Sequence, residues 1–297
     1  MRALKSFAFV LACLPGLAFA TEPRAITPGA EAESWAGVGI LQVAGGGMCS
    51  AALIAPDTVL TAAHCVYTSG SAKVAEPERV TFHAGWRDGL TAAKRTAVRI
   101  VAHRGYDPKQ PYADPNISAD LALVYLDSPV DPGAARHFGK LDRIRVGEPV
   151  FIVSFSGRRS DVASIREGCN VESRDGDILI LGCEAYPGMS GAPVFARIHG
   201  KPQVVGLISG SRHGYYGGNN AIALAIKSPL GRVTIDADSL RSTPLAAMPN
   251  WATRVSRAGV LTAPAVRKTI SVSSGTGFGK NTSTDGGRKI VRPPKSN

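Results

Sequence analysis

With 44% hydrophobic side chains over 297 residues, the chain has enough apolar material for one large core or two moderate ones, which excludes a fibrous or wholly disordered protein. The net charge of +11 suggests a nucleic-acid partner until it is located. Residues 21–240 carry 22 basic and 22 acidic side chains, whereas residues 241–297 carry 10 basic ones against Asp285 alone, so the neutral body offers nucleic acid no electrostatic footprint.

At the start of the chain, Arg2 and Lys5 precede an apolar run from Phe7 to Leu14, and Ala18-Phe19-Ala20 stands before Thr21. A short positive segment, an apolar stretch too short to span a bilayer and an A-x-A end read as a secretory signal peptide over residues 1–20. The expectation is an exported protein, periplasmic or secreted, with no transmembrane span. Residues 21–33 form an N-terminal segment that could serve as a short pro-region, with Arg24-Ala25 as its cutting point. Once the signal leaves with Cys13, four cysteines remain: Cys49, Cys65, Cys169 and Cys183. An even number in an exported chain predicts two disulfides, and the division of the cysteines between two halves pairs Cys49 with Cys65 and Cys169 with Cys183. A zinc site is the rival use, but no C-x-x-C or H-x-x-x-H spacing supports it.

From Ala36 onward, short apolar runs alternate with Gly, Pro and Asp turns. Val38–Val43, Cys49–Ile54, Thr58–Thr61, Val80–His83, Val98–Val101, Leu121–Leu126, Val150–Val153, Ile178–Leu181, Val204–Ile208 and Ala221–Leu224 read as strands. Many short strands separated by turns predict an all-β barrel or sandwich, and a body of about 220 residues suits two packed units. From about Arg241, Ser, Thr, Gly, Pro, Lys and Arg dominate. That composition predicts a basic, disordered tail over 241–297, with at most a marginal helix near Leu240–Met248.

The chemistry centres on Gly188-Met189-Ser190-Gly191-Ala192-Pro193. Small residues on both sides of Ser190 let a substrate approach its hydroxyl, and Gly188 permits a backbone that turns N–H groups toward one point. By itself such a stretch is more often a tight turn. A serine needs a base, and His64 stands out among six histidines because it follows a strand, is flanked by alanines and adjoins Cys65. The imidazole in turn needs a carboxylate. Asp120 heads the apolar run Leu121–Val124, at the edge of a core where an unpaired charge is costly. Asp107 and Asp114 lie in a loop rich in Pro and Tyr, and Asp127 is a turn residue.

Leu60-Thr61-Ala62-Ala63-His64-Cys65, Asp120-Leu121-Ala122-Leu123 and Gly188–Pro193, in that order, resemble the three signature segments of the trypsin/chymotrypsin-like serine peptidases. The Cys49 to Cys65 spacing is similar to the family's bridge around its catalytic histidine. Val101-Ala102-His103-Arg104-Gly105-Tyr106 resembles the segment leading to the aspartate, which makes His103 structural. The resemblance covers about residues 34–235 and implies two packed six-stranded antiparallel β-barrels, at about 34–130 and 140–235, with the active site in the cleft between them. The peptidase domain would run over 34–240. By resemblance Ser190 is the nucleophile, His64 the general base, Asp120 the orienting carboxylate, and the N–H groups of Gly188 and Ser190 the oxyanion hole. Ser209, Gly210 and Ser211 would pair with the substrate backbone. Glu184 falls where trypsin-like enzymes place the acid of the primary specificity pocket, which raises cleavage after Arg or Lys.

Departures from the pattern are informative. Met189 stands where trypsin-like zymogens have an acid, and no Ile-Val-Gly-Gly start exists, so the usual N-terminal ion pair cannot form. These features look more like the bacterial branch that includes the glutamyl endopeptidases, although Ile208-Ser209-Gly210 lacks that branch's histidine. The reading is thus a monomeric serine endopeptidase with a polypeptide substrate and no cofactor. Its alternatives are a catalytically silent binding protein, or a peptidase anchored to anionic envelope components by its tail.

Overall fold

In the computed structural model the described residues are 22–68, 70–141, 143–157, 159–213, 219–241 and 243–255; the expected signal peptide and residues 256–297 of the tail lie outside them. Strand β1 (Arg24–Ala25) and a single-turn helix α1 (Ala30–Ser34) lead into β2 (Val38–Val43), β3 (Met48–Ala55), β4 (Thr58–Thr61), β5 (Val80–Ala84), β6 (Ala93–Ala102) and β7 (Ala122–Leu126), with a short helix α2 (Asp114–Ile117) before β7. These six strands close antiparallel in the order β2-β3-β4-β7-β6-β5, β5 returning to β2. After β8 (Gly139–Lys140), a second closed barrel follows from β9 (Pro149–Ser156), β10 (Arg159–Asp175), β11 (Ile178–Glu184), β12 (Pro193–Ile198), β13 (Lys201–His213) and β14 (Asn219–Ala225), in the order β9-β10-β11-β14-β13-β12. The two six-stranded barrels expected from the resemblance are present.

The pleat explains why these strands are apolar on both faces. In β2, Leu41 and Val43 point into the first barrel's interior while Val38 and Ile40 point toward the second barrel. In β9, Val150 and Ile152 line the second barrel's interior while Phe151, Val153 and Phe155 face the first. The alternate faces thus build two barrel cores and a third core between them. That third core is aromatic: Phe195 lies with its ring centroid 4.8 Å from Phe138, 5.4 Å from Phe151 and 5.4 Å from Trp35. Rings at these separations add to the area they bury, so the junction resists shear.

Three parts of the chain depart from expectation. Strand β10 was not legible, because its exposed positions are polar and a register shift between Arg166 and Cys169 interrupts its alternation. The N-terminal segment is not a loose leader. Strand β1 pairs with β10, and Ile26, 2% exposed, sits in the core between the barrels. The domain also does not end near 240. Helix α3 (Lys227–Ser239) buries Val233 and Ala237, and strand β15 (Ala252–Arg254) pairs with β6. The N–H of Ala102 donates to the Trp251 carbonyl at 2.8 Å, and Ala252 is 1% exposed. Within residues 243–255, Met248 and Trp251 pack against the core, and the backbone of β6 supplies partners that composition does not reveal. Among the described residues no helix is long and apolar enough to cross a membrane.

Candidate active site

His64 lies in a one-turn 3-10 helix, Ala63–Val66, directly after β4, with Ala62 and Ala63 fully buried beneath it. The Cys49–Cys65 bond ties that turn to β3, and Cys169–Cys183 ties β10 to β11, both as predicted. The two sulfurs nearest His64 are therefore bonded to each other and are not metal-ligating thiolates.

Asp120 sits just before β7 and is 1% exposed. Its Oδ1 accepts the backbone N–H of His64 at 2.9 Å, and its Oδ2 lies 2.8 Å from His64 Nδ1. The hydroxyl of Ser209 also donates to Oδ2, at 2.6 Å. A carboxylate offers only acceptors, so Nδ1 carries the ring proton and Nε2 keeps its lone pair. Burial works to lower the His64 pKa, but the charge and hydrogen bond of Asp120 outweigh it and hold it above the ordinary value.

Ser190 is half-buried on the loop between β11 and β12. Its carbonyl accepts the N–H of Ser50 on β3 at 2.9 Å, which holds this loop of the second barrel to the first. Gly191 has φ +75°, and a Cβ there would collide with Thr61 Oγ1 and the Ser50 carbonyl and lie 3.1 Å from the Ala62 nitrogen. The missing side chain lets the nucleophile loop rest on the segment that runs into His64. Gly188 has φ +93°, and among the described residues neither its N–H nor that of Ser190 has a hydrogen-bond partner. Two neighbouring free donors are what a developing oxyanion requires.

Two side chains that hold this loop were not foreseen. Ser50 is fully buried; its hydroxyl accepts the Phe155 N–H at 2.9 Å and donates to the Gly188 carbonyl at 3.0 Å. Nothing in the sequence marks it beyond its place after Cys49. Met189, 2% exposed, fills the second barrel's core, and its sulfur accepts the Tyr186 N–H at 3.2 Å. This contact stands where the resemblance expects an acid for an N-terminal ion pair.

Glu184 ends β11 opposite Asn220 and lines a polar cavity of about 310 Å³ with Arg166, Glu172 and Asn220. The Tyr186 hydroxyl donates to its carboxylate, and that bond raises the tyrosine pKa. Arg166, 6% exposed, reaches the same phenol. Glu184 is thus not a bare anion awaiting a cationic side chain. Gly210 and Ser211 on β13 pair with Ile222 and Ala221 of β14, a register shift passes over Ser209, and among the described residues β12 pairs no further along the other edge than Leu207. His103 is buried with its Nδ1 accepting the Gly105 N–H at 3.1 Å. Asn116 fits a glycosylation pattern with Ser118, but it is buried and spends its amide on the carbonyl of Asp107.

Comparison with known proteins bears on the fold and the family. The solved structure of a Glu endopeptidase in complex with MPD superposes with a TM-score of 0.59 over 74% of this chain and 99% of that one, at 17% identity, a likeness of fold. Serine protease 23 from Rattus norvegicus is 28% identical over 194 residues, and the Mus musculus and Macaca mulatta proteins of the same name are 27% and 28% identical over 202 and 190 residues. Each alignment covers 54% of this chain and 48% of the relative, so the chain spans about half the length of the curated relatives it matches. The family model for the trypsin-like peptidase domain matches residues 49–207, more than half of the chain and inclusive of His64, Asp120 and Ser190, and on that match the protein belongs to the trypsin-like serine peptidases.

Proposed function

We propose that the chain is an exported serine endopeptidase in which Ser190 is the nucleophile, His64 the base and Asp120 the carboxylate that orients it. The observation that carries this reading is the double grip of buried Asp120 on the backbone and ring nitrogens of His64, with the Ser190 loop held to β3 by the Ser50 N–H and packed on Thr61 at the end of β4. As Ser190 Oγ attacks a peptide carbonyl, its proton passes to His64 Nε2. The carbonyl oxygen becomes an anion and accepts from the N–H groups of Gly188 and Ser190. Collapse of this intermediate breaks the C–N bond, the imidazolium protonates the leaving amine, and an acyl ester remains on Ser190. Water, deprotonated by His64, then attacks the ester and frees the serine. The open edge at Ser209–Ser211 offers main-chain partners to an extended substrate.

Two disulfides fit an oxidising compartment, extracellular or periplasmic, in keeping with the signal peptide read in residues 1–20. The basic excess of residues 241–297 suits contact with anionic envelope polymers, a role separable from catalysis by truncation after Val255.

Labelling by an active-site phosphonate tests the central reading. Purified protein should take up one label, Ser190→Ala should take up none, and absence of labelling and of peptide hydrolysis in wild type would refute the assignment. Mass-spectrometric mapping of cut sites in a denatured protein mixture should show no strong preference for Arg or Lys before the cut, because Tyr186 already occupies Glu184 and Arg166 faces the same phenol.

A further inference from the structure

We infer that the second barrel holds a binding site for a small anionic amphiphile, a molecule with one carboxylate head and an apolar body, at the end of the barrel away from the Ser190 loop. The site begins with a break in the sheet. Among the described residues β12 pairs with β9 at Val194 with Ile152 and at Phe195 with Phe151, and no further. Continuing that register sets Arg197 opposite Pro149, which has no N–H to give, so the ladder stops and the strands part. On its other side β12 stays paired, Arg197 with Pro202 and Ile198 with Lys201 of β13. Between the parted strands lies a cavity of about 540 Å³, within the size range of small-ligand pockets. Leu141, Ile144, Val150, Phe151, Ala196 and Ile198 give it apolar walls. Ser190 precedes the first residue of β12 and the cavity meets its last three, so most of a strand separates the two.

The rim selects the head group. Arg143, Arg145 and Arg197 border the cavity together with Glu148 and Glu167. Arg197 is already engaged, with its Cζ 4.5 Å over the centre of the Phe151 ring and its Nη2 2.8 Å from Glu167 Oε1. Glu148 accepts the backbone N–H of Arg145 at 2.9 Å. Among the described residues the guanidinium groups of Arg143 and Arg145 have no partner, so the charge left over at the rim is positive and shaped to take a carboxylate. The segment that carries them is fixed in advance. Gly147 donates its N–H to the Val171 carbonyl at 2.8 Å, Leu141 donates to the Val204 carbonyl at 2.9 Å, and Arg174 Nη1 donates to the Ile144 carbonyl at 2.8 Å. A cavity held open by such bonds needs little ordering to receive a ligand. Apolar surface also remains at its mouth, where Ile198 is 37% exposed and Val146, next to Arg145, is 58% exposed. The proposed catalysis uses none of these residues.

The experiment is calorimetric titration of the purified protein with octanoate, hexanoate, 1-octanol and acetate. It is run on wild type, Arg143→Gln/Arg145→Gln and Ile198→Asp, all three positions being exposed, with circular dichroism as the check on folding. Wild type should bind one octanoate per chain. Hexanoate has two fewer CH₂ groups to bury and should bind about tenfold more weakly. The uncharged 1-octanol should also bind about tenfold more weakly, and acetate should give no saturable heat. The double arginine variant should bring octanoate down to the level of 1-octanol and leave 1-octanol within about twofold of wild type. Ile198→Asp puts a charge on the apolar wall and should weaken both at least tenfold, on the order expected for an unpaired charge beside apolar surface. Absence of saturable octanoate binding to wild type overturns the inference. So does octanoate binding no tighter than that of 1-octanol or hexanoate, or octanoate binding that Ile198→Asp leaves unchanged, since the ligand would then sit elsewhere. Sedimentation showing a dimer that Ile198→Asp dissolves would give the apolar mouth to a second copy and overturn it as well. None of these readouts depends on Ser190, so their failure is distinct from failure of the peptidase reading.

Discussion

The two barrels hold their halves of the site by different means. The first barrel fixes its contribution through side chains: Asp120 binds His64 at two nitrogens, and Cys49–Cys65 bonds the histidine turn to β3. The second barrel supplies a loop shaped by its backbone, with positive φ at Gly188 and Gly191 and anchors that come partly from Ser50 of the other barrel. The difference suits the chemistry proposed for each half. A base needs one ring orientation and one tautomer, which a carboxylate can impose. Two N–H donors aimed at one oxygen need a backbone conformation, which glycines permit and contacts to the peptide groups hold.

The largest expected effect therefore lies on the first barrel. Asp120→Asn keeps the volume but can present its amide N–H to Nδ1, which favours the tautomer with its proton on Nε2 and removes the base. Loss in kcat on the order of 10⁴ is expected. The pH profile adds a signature. His64 must be neutral to accept a proton, and in wild type its pKa is raised above 6.5, so kcat/KM should fall as pH drops through that raised value. Removing the carboxylate's charge should move this acid limb to lower pH. An unmoved limb would mean that Asp120 does not set the histidine's protonation.

A second contrast separates stability from geometry. The bonds Cys49–Cys65 and Cys169–Cys183 close loops of similar size, with sequence separations of 16 and 14. Chain entropy then assigns each about 3 kcal/mol, so denaturant unfolding of the Cys49→Ser/Cys65→Ser and Cys169→Ser/Cys183→Ser variants should show similar losses. Activity below the unfolding transition should differ. The first pair holds the turn that carries His64 and its loss should lower kcat, whereas the second joins β10 to β11 away from the imidazole. Equal kcat in the two folded variants would show that Asp120 alone positions the histidine.

The barrels differ also in how much of them the sequence disclosed. In the first, each strand was marked by an apolar run, and His64 and Asp120 each stood at the end of one. In the second, β10 escaped because a bulge breaks its alternation and its outer face is polar; β15, which adds to β6 of the first barrel, escaped because its three residues make no recognisable run. The serine loop was legible through its glycines, since a required backbone conformation leaves a trace in residue type. The side chains that brace that loop left none. Ser50 acts through Phe155 and Gly188, 105 and 138 positions away, and no local spacing encodes such contacts.

Ser50 offers the smallest expected effect and the finest test of the comparison. Its hydroxyl bonds across the barrel junction to the Gly188 carbonyl, and Ser50→Ala leaves the Phe155 N–H and the Gly188 carbonyl without that partner in a fully buried place. An unsatisfied buried group costs about 1–3 kcal/mol, which urea unfolding should register. If the bond only stabilised the fold, kcat at temperatures well below the transition would be unchanged. If it also sets the plane of the peptide beside Ser190, one oxyanion donor loosens. Complete loss of such a donor costs on the order of 10²–10³ in kcat, and partial misalignment should cost about tenfold. KM should stay near wild type, since the edge at Ser209–Ser211 that would bind the substrate main chain does not touch Ser50. A tenfold fall in kcat with constant KM would place the shaping of the second barrel's loop in a side chain of the first, and a purely thermal effect would return that role to Gly188 and Gly191 alone.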